Sequence, residues 1–112
     1  MSGYLRSDIW AGVFVRRHND QGRICVVERR GDPIAGQIFI VIDHLDGTRS
    51  LFTPAPATAE AGADRRFQCR FRRESPDKVR ERIAQEMRFD PDLWLIALDS
   101  REDDPGLEIV GD

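Results

Sequence analysis

Ile38-Phe39-Ile40-Val41-Ile42 is the stretch on which the reading of the fold turns. It has no polar break, and every member is β-branched or aromatic. Side chains along a strand alternate between the two faces of a sheet, so an uninterrupted apolar run suits a central strand covered on both sides. Just downstream, Asp46-Gly47 supplies the residue types of a tight hairpin turn. That turn leads into a strand over residues 49–53. Upstream, Gly31-Asp32-Pro33 is a turn signal, and residues 24–29 read as the strand before it.

Farther out, residues 65–72 alternate. Phe67, Cys69 and Phe71 are expected on one face, and Arg66, Gln68, Arg70 and Arg72 on the other. This predicts a half-exposed strand with a basic outer face, suited to a sheet edge where charge deters unwanted pairing. Residues 54–64, rich in Ala and Pro and without periodicity, are expected to form a flexible loop. Ser75-Pro76-Asp77 opens a helix, with Ser as cap and Pro in the first turn. Val79, Ile83 and Met87, with Ala84, make its buried stripe. Arg80, Glu81, Arg82, Gln85 and Glu86 make its wet side. Asp90-Pro91-Asp92 stops it, and residues 93–98 form a last strong strand. The remainder, residues 100–112, is an acidic tail in which Leu107 and Ile109 suggest a short final strand.

The N-terminal part admits two readings. Ser7 can cap a helix beginning at Asp8, with Ile9, Trp10, Val13 and Phe14 as an apolar stripe and Gly22 as its end. Alternatively, residues 13–15 and 24–27 are strands of a hairpin around Asn19-Asp20-Gln21-Gly22. The helix is preferred, although Gly12 inside it costs roughly 1 kcal/mol. The predicted architecture is therefore α+β: an N-terminal helix, an antiparallel four-strand meander, an amphipathic helix and a final strand.

At 112 residues the chain is expected to be one domain spanning 1–112. Hydrophobic residues make up 40% and charged residues 33%, a globular balance. No apolar run reaches the roughly 20 residues of a membrane span. The first eight residues lack the basic-then-apolar layout of a signal peptide. A cytoplasmic protein is expected, with no membrane partner. Cys25 and Cys69 have no metal spacing and read as buried thiols acting as small hydrophobes.

Of 17 basic residues only Lys78 is a lysine, a bias that a genome rich in G and C produces without selection for function. The net charge of −3 is unevenly spread. Residues 65–88 hold nine basic against four acidic residues, and residues 89–112 hold one Arg against eight acids. The pairs Arg16-Arg17, Arg29-Arg30, Arg65-Arg66 and Arg72-Arg73, with outward Arg70, suggest a basic face for an anionic partner, a protein or a nucleic acid. Ordinary surface arginine paired with the acidic tail is the plainer account.

Several segments together resemble a known family. They are residues 5–10, Val15-Arg16-Arg17, residues 27–32 with Ala35-Gly36, Leu45-Asp46-Gly47-Thr48, Pro54-Ala55-Pro56 and Phe89-Asp90-Pro91-Asp92-Leu93-Trp94. The chain resembles, over nearly its whole length, the alphaproteobacterial family called domain of unknown function 1491. The Arg-Arg-Gly-Asp turn and the Asp-Pro-Asp-Leu-Trp segment are the most specific pieces. The resemblance implies a bacterial cytoplasmic origin and a helix over residues 8–20. It brings no catalytic residue.

No P-loop, HExxH, GxSxG or GxGxxG pattern is present. No catalytic residue, metal ligand or cofactor is therefore assigned. His44, beside Asp43 and Asp46, reads more readily as surface decoration than as a metal corner. In residues 31–36, two glycines beside Arg29 and Arg30 can bring backbone N–H groups to a phosphate. The simpler account is a strand connection that needs unusual dihedrals at Gly31 and Gly36. A metal-dependent nuclease is the alternative function, because helix, three strands, helix and strand is the core order of one large nuclease superfamily. Glu28, Asp32 and Asp43 would be its acids, but the (D/E)xK motif is missing. The expectation is a small binding or regulatory module without an assembled active site. Its candidate binding set is Arg29, Arg30, Gly31, Asp32, Arg66, Arg70 and Arg72.

Overall fold

The computed structural model describes residues 5–56 and 65–110. Its centre is β2 (Ile38–Asp43), with residues 38–42 all buried. The chain runs α1 (Ser7–Asp20), β1 (Cys25–Arg29), β2, β3 (Arg49–Pro54), β4 (Arg66–Glu74), α2 (Pro76–Phe89), β5 (Trp94–Asp99) and β6 (Glu108–Ile109). The six strands form one sheet in the order β1-β5-β2-β3-β4-β6. Ile38, Ile40 and Ile42 face α1, in a core with Phe14, Phe52, Phe67, Trp94, Ile96 and Leu98. Phe39 and Val41 face α2, in a second core with Leu51, Val79, Ile83, Leu93 and Leu95. Each large side chain buried this way contributes about 1.5–3 kcal/mol. The unbroken apolar run is thus a central strand covered on both faces.

The α+β class holds, but the four-strand antiparallel meander does not. β2, β3 and β4 do follow one another antiparallel, as the Asp46-Gly47 turn requires. β1 stands apart: β5 lies between it and β2, antiparallel to β1 and parallel to β2. The sheet is therefore mixed, with a second parallel pair between β4 and β6. The reason is the connection after β1, which is a wide turn and not a tight hairpin, and so leaves a slot for another strand. α2 then carries the chain back across the sheet, the long crossover that a parallel neighbour needs.

Residues 7–20 are helical, which decides against the N-terminal hairpin. The buried side of α1 is Ser7, Ala11, Phe14 and His18, with Trp10 packed at its margin; Ile9 and Val13 point outward. Ser7 does not cap the helix. Its hydroxyl donates to the Gly36 carbonyl at 2.5 Å, and the first helical N–H groups are taken by the carbonyls of Ile34 and Pro33. α2 keeps its expected cap, Ser75 Oγ accepting from the Lys78 N–H, and buries Val79 and Ile83 with Met87 half-buried, but Ala84, expected in the stripe, is exposed because it lies one residue round from Ile83 on the outer side.

The alternation of β4 breaks. Phe52 pairs with Cys69 but Leu51 pairs with Phe71, so Arg70 is an extra, bulged residue. Phe67 and Cys69 join the core on the α1 side, whereas Phe71 packs on the α2 side. A second irregularity follows, where Arg73 adopts a φ of 52°. The arginines of this strand consequently do not share one face. Of the expected loop, Pro54 closes β3, and residues 57–64 lie outside the described residues.

Candidate functional site

The turn at residues 31–36 forms a buckle with the segment entering β5. The Asp32 N–H donates to the Asp92 carbonyl at 2.9 Å, and the Trp94 indole N–H donates to the Asp32 carbonyl at 2.8 Å. Arg29 donates to the Pro91 carbonyl at 2.6 Å, and the Arg30 guanidinium lies 4.9 Å from the centre of the Trp94 ring. A Cβ on Gly31 would sit 2.0 Å from the Asp92 oxygen, and one on Gly36 would sit 2.7 Å from it. Both glycines are therefore required by close backbone approach; neither has a positive φ. The N–H groups a phosphate would need are already donating within the chain. Those of Ile34 and Ala35 go to the Asp32 carboxylate, that of Gly36 to the Asp32 carbonyl, and that of Asp32 to Asp92.

The other candidate residues lie at the opposite side of the sheet. Arg66 forms an ion pair with Glu108 of β6 at 3.2 Å. The side chains of Arg70 and Arg72 are exposed and make no hydrogen bond or ion pair among the described residues. Arg73, which was not in the candidate set, organises this end. It donates to Asp103, Asp46 and the Arg101 carbonyl. Part of the acidic tail thus serves as counter-charge for neighbouring arginines, including Arg23 opposite Glu102. The seven candidates do not form one site: Arg29, Arg30, Gly31 and Asp32 are gathered at the buckle, and Arg66, Arg70 and Arg72 along β4.

Neither histidine is on the surface. His44 is 1% exposed, which corrects the reading of it as decoration. Its Nδ1–H donates to the Ser100 carbonyl at 2.8 Å, because a carbonyl can only accept. Its Nε2 accepts from the Ser50 hydroxyl at 2.8 Å, and Ser50 Oγ accepts in turn from the Arg73 N–H. A serine so placed on an imidazole has the spacing of a nucleophile and base, but Ser50 is itself 1% exposed. The chain of bonds ties β3, β4 and the ends of β2 and β5 together. His18 receives a hydrogen bond from Arg23 on Nδ1, so Nε2 carries the proton and donates to the Pro105 carbonyl at 3.1 Å. Burial, and then the Arg23 charge, hold its pKa below the ordinary imidazole value.

Of the three acids a nuclease would need, Glu28 and Asp43 line one small cavity of about 90 Å³ with Asp99 and Arg49. Asp32 is elsewhere, in the buckle. Among the described residues no group of three or more His, Cys, Asp or Glu is arranged to hold a metal ion. Burial pushes the Cys25 thiol up to about 11, and Cys69, half-buried, is also raised by burial. No helix of the described residues is long and apolar enough to cross a membrane.

Sequence reasoning missed Ser50, Arg73 and Trp94 as organising side chains. Trp94 lay within a quoted motif, and its indole N–H, which needs a partner when buried, was the available signal. Nothing local marked Ser50 or Arg73, whose partners are distant in sequence.

Comparison with known proteins adds the lineage. The model of a protein family of unknown function, DUF1491, matches residues 5–108. The solution structure of protein Atu0922 from A. tumefaciens has a TM-score of 0.85 and 30% identity, covering 100% of this chain and 98% of that one. The crystal structure of a DUF1491 family protein from Caulobacter crescentus CB15 has a TM-score of 0.77 and 24% identity, covering 96% and 98%. An NMR structure of a DUF1491 family protein from the same organism gives 0.79 and 24%, covering 96% and 97%. Among curated proteins there is no match. With a fold shared end to end and a family model spanning almost all of its length, this chain belongs to the DUF1491 family.

Proposed function

We propose that the chain is a small cytoplasmic binding module, not an enzyme, that captures the acidic surface of a partner protein through the outer edge of β4. One observation carries this reading: the side chains of Arg70 and Arg72 are exposed and make no hydrogen bond or ion pair among the described residues, whereas those of Arg29, Asp32 and both histidines are hydrogen-bonded within the chain. Among the described residues β6 pairs only with Arg66 and Phe67, so the stretch of β4 bearing Arg70 and Arg72 has β3 as its one partner strand there. The phenylalanines of β4 belong to the two cores and offer no base-stacking surface, which favours a protein over a nucleic acid.

The test is fluorescence anisotropy with a polyglutamate peptide and with a single-stranded oligonucleotide, at two salt concentrations. Binding of the peptide, weakened about tenfold in the Arg70→Ala/Arg72→Ala variant, supports the reading. Preference for the oligonucleotide, with a salt slope that falls by about two in the variant, assigns the edge to nucleic acid instead. Magnesium-dependent cleavage of the oligonucleotide, lost in Glu28→Ala or Asp43→Ala, would overturn it in favour of a nuclease.

A further inference from the structure

α1 and the segment leading into it carry a second apolar stripe that the described residues leave uncovered. Leu5, Ile9 and Val13 recur at four-residue spacing away from Ala11 and Phe14, and they are 47%, 50% and 44% exposed. Gly12 lies on the same side. It is exposed, and a Cβ there would meet nothing within 4 Å. Glycine is among the poorest residues for a helix interior, and no contact among the described residues demands it. On an outer face it lets a second helix approach closely, since interaxial distance depends on the side chains at the crossing. Beside the stripe runs a groove of about 320 Å³ of mixed character, in which Trp10, Phe14 and Leu107 alternate with Arg17, Arg65 and Glu108.

The charges on this helix indicate what covers the stripe. Arg16 and Asp20 are exposed towards the C-terminal end of α1, and Arg6 and Asp8 lie at its start, paired with each other at 3.2 Å across an exposed contact. The face is thus complementary to itself in one orientation. A second copy laid antiparallel, about a twofold axis at Gly12, sets its Asp8 opposite Arg16 and its Arg6 towards Asp20. A parallel copy sets Arg16 against Arg16. Antiparallel packing also opposes the two helix dipoles favourably. We infer that the outer face of α1 docks a second copy of this chain, the helices crossing antiparallel at Gly12. The contact is isologous and small, so it belongs to the weak, concentration-dependent class. It involves none of the β4 arginines and stands apart from the binding role proposed above.

Sedimentation velocity of the whole chain, from about 10 μM to 1 mM at low salt, tests the inference. The wild type shifts from monomer towards dimer as concentration rises, and Ile9→Lys remains monomeric. Arg16→Asp and Asp8→Arg each weaken association about tenfold, and the double variant regains it. Gly12→Leu weakens association while raising the melting temperature of the dilute monomer by about 5 °C, because helix propensity improves and no internal contact is disturbed. All four positions lie outside the buried core, and melting curves confirm that each variant folds. A wild type monomeric at 1 mM, or an Ile9→Lys chain that associates like the wild type, overturns the docking surface. Failure of the double reversal to recover association overturns the antiparallel arrangement.

Discussion

The turn at residues 31–36, with Arg29 and Arg30 beside it, and the outer stretch of β4, with Arg70 and Arg72, both bring arginines together. Tertiary structure uses them in opposite ways. In the turn, the Arg29 guanidinium, the Asp32 carboxylate and the backbone N–H groups all close on the chain itself, and the Asp92 backbone passes where two side chains would otherwise be. On β4, a bulge at Arg70 interrupts the register, and the guanidinium groups of Arg70 and Arg72 are left in water. An unusual motif in a small domain can therefore mark a place where the backbone comes together. The plainer Arg70 and Arg72 of β4, on the far side of the sheet, stay exposed.

The largest effect that can break this contrast is expected from Gly31→Ala. A methyl group 2.0 Å from a backbone oxygen forces β5 and the turn apart, and stability measured by urea unfolding falls by about 3–5 kcal/mol. Wild-type stability in that variant would mean the buckle does not exist as described. Trp94→Phe comes next. It trims the buried ring and removes the shorter of two hydrogen bonds to the Asp32 carbonyl, leaving the Gly36 N–H at 3.2 Å, for a loss of about 1–3 kcal/mol in the same assay.

Acid sensitivity lies between the two regions. The folded-state pKa of His18 is lowered, so the unfolded chain binds a proton more readily. The contribution of His18 is complete above the unfolded value of about 6.5 and is lost as pH falls below it towards the folded value, at about 1.4 kcal/mol per pH unit over that window. Urea melts between pH 8 and 5 measure the slope, and His18→Gln flattens it. A slope that His18→Gln leaves unchanged would place the titrating group elsewhere. The smallest effect belongs to β4: Arg70→Ala/Arg72→Ala changes stability by less than about 0.5 kcal/mol. A larger loss would show that these arginines are structural after all, and would erase the contrast between the regions.

Much of the fold was legible locally. The run Ile38-Phe39-Ile40-Val41-Ile42 announced a two-sided strand, Asp46-Gly47 a hairpin, and Ser75-Pro76 a helix start, because each depends on neighbours a few residues away. The site was far less legible. His44 looked exposed beside two aspartates, yet its partners, Ser50 and Ser100, are brought to it by β3 and by the end of β5. Phe71 looked like the third member of an inward set until an extra residue in β4 turned it to the other core. A bulge leaves no periodic mark in one strand, since it is defined by the pairing with its neighbour.

Local chemistry alone determined that this protein is an α+β domain whose central strand is apolar on both faces, because side-chain alternation and turn preferences act over short stretches of chain. Tertiary structure decided the rest: which strand lies beside which, where β5 inserts, and which polar groups are spent inside. The reason is that a strand edge accepts any backbone, so its partner is chosen by how α2 carries the chain across the sheet and by whether two glycines let the backbones approach.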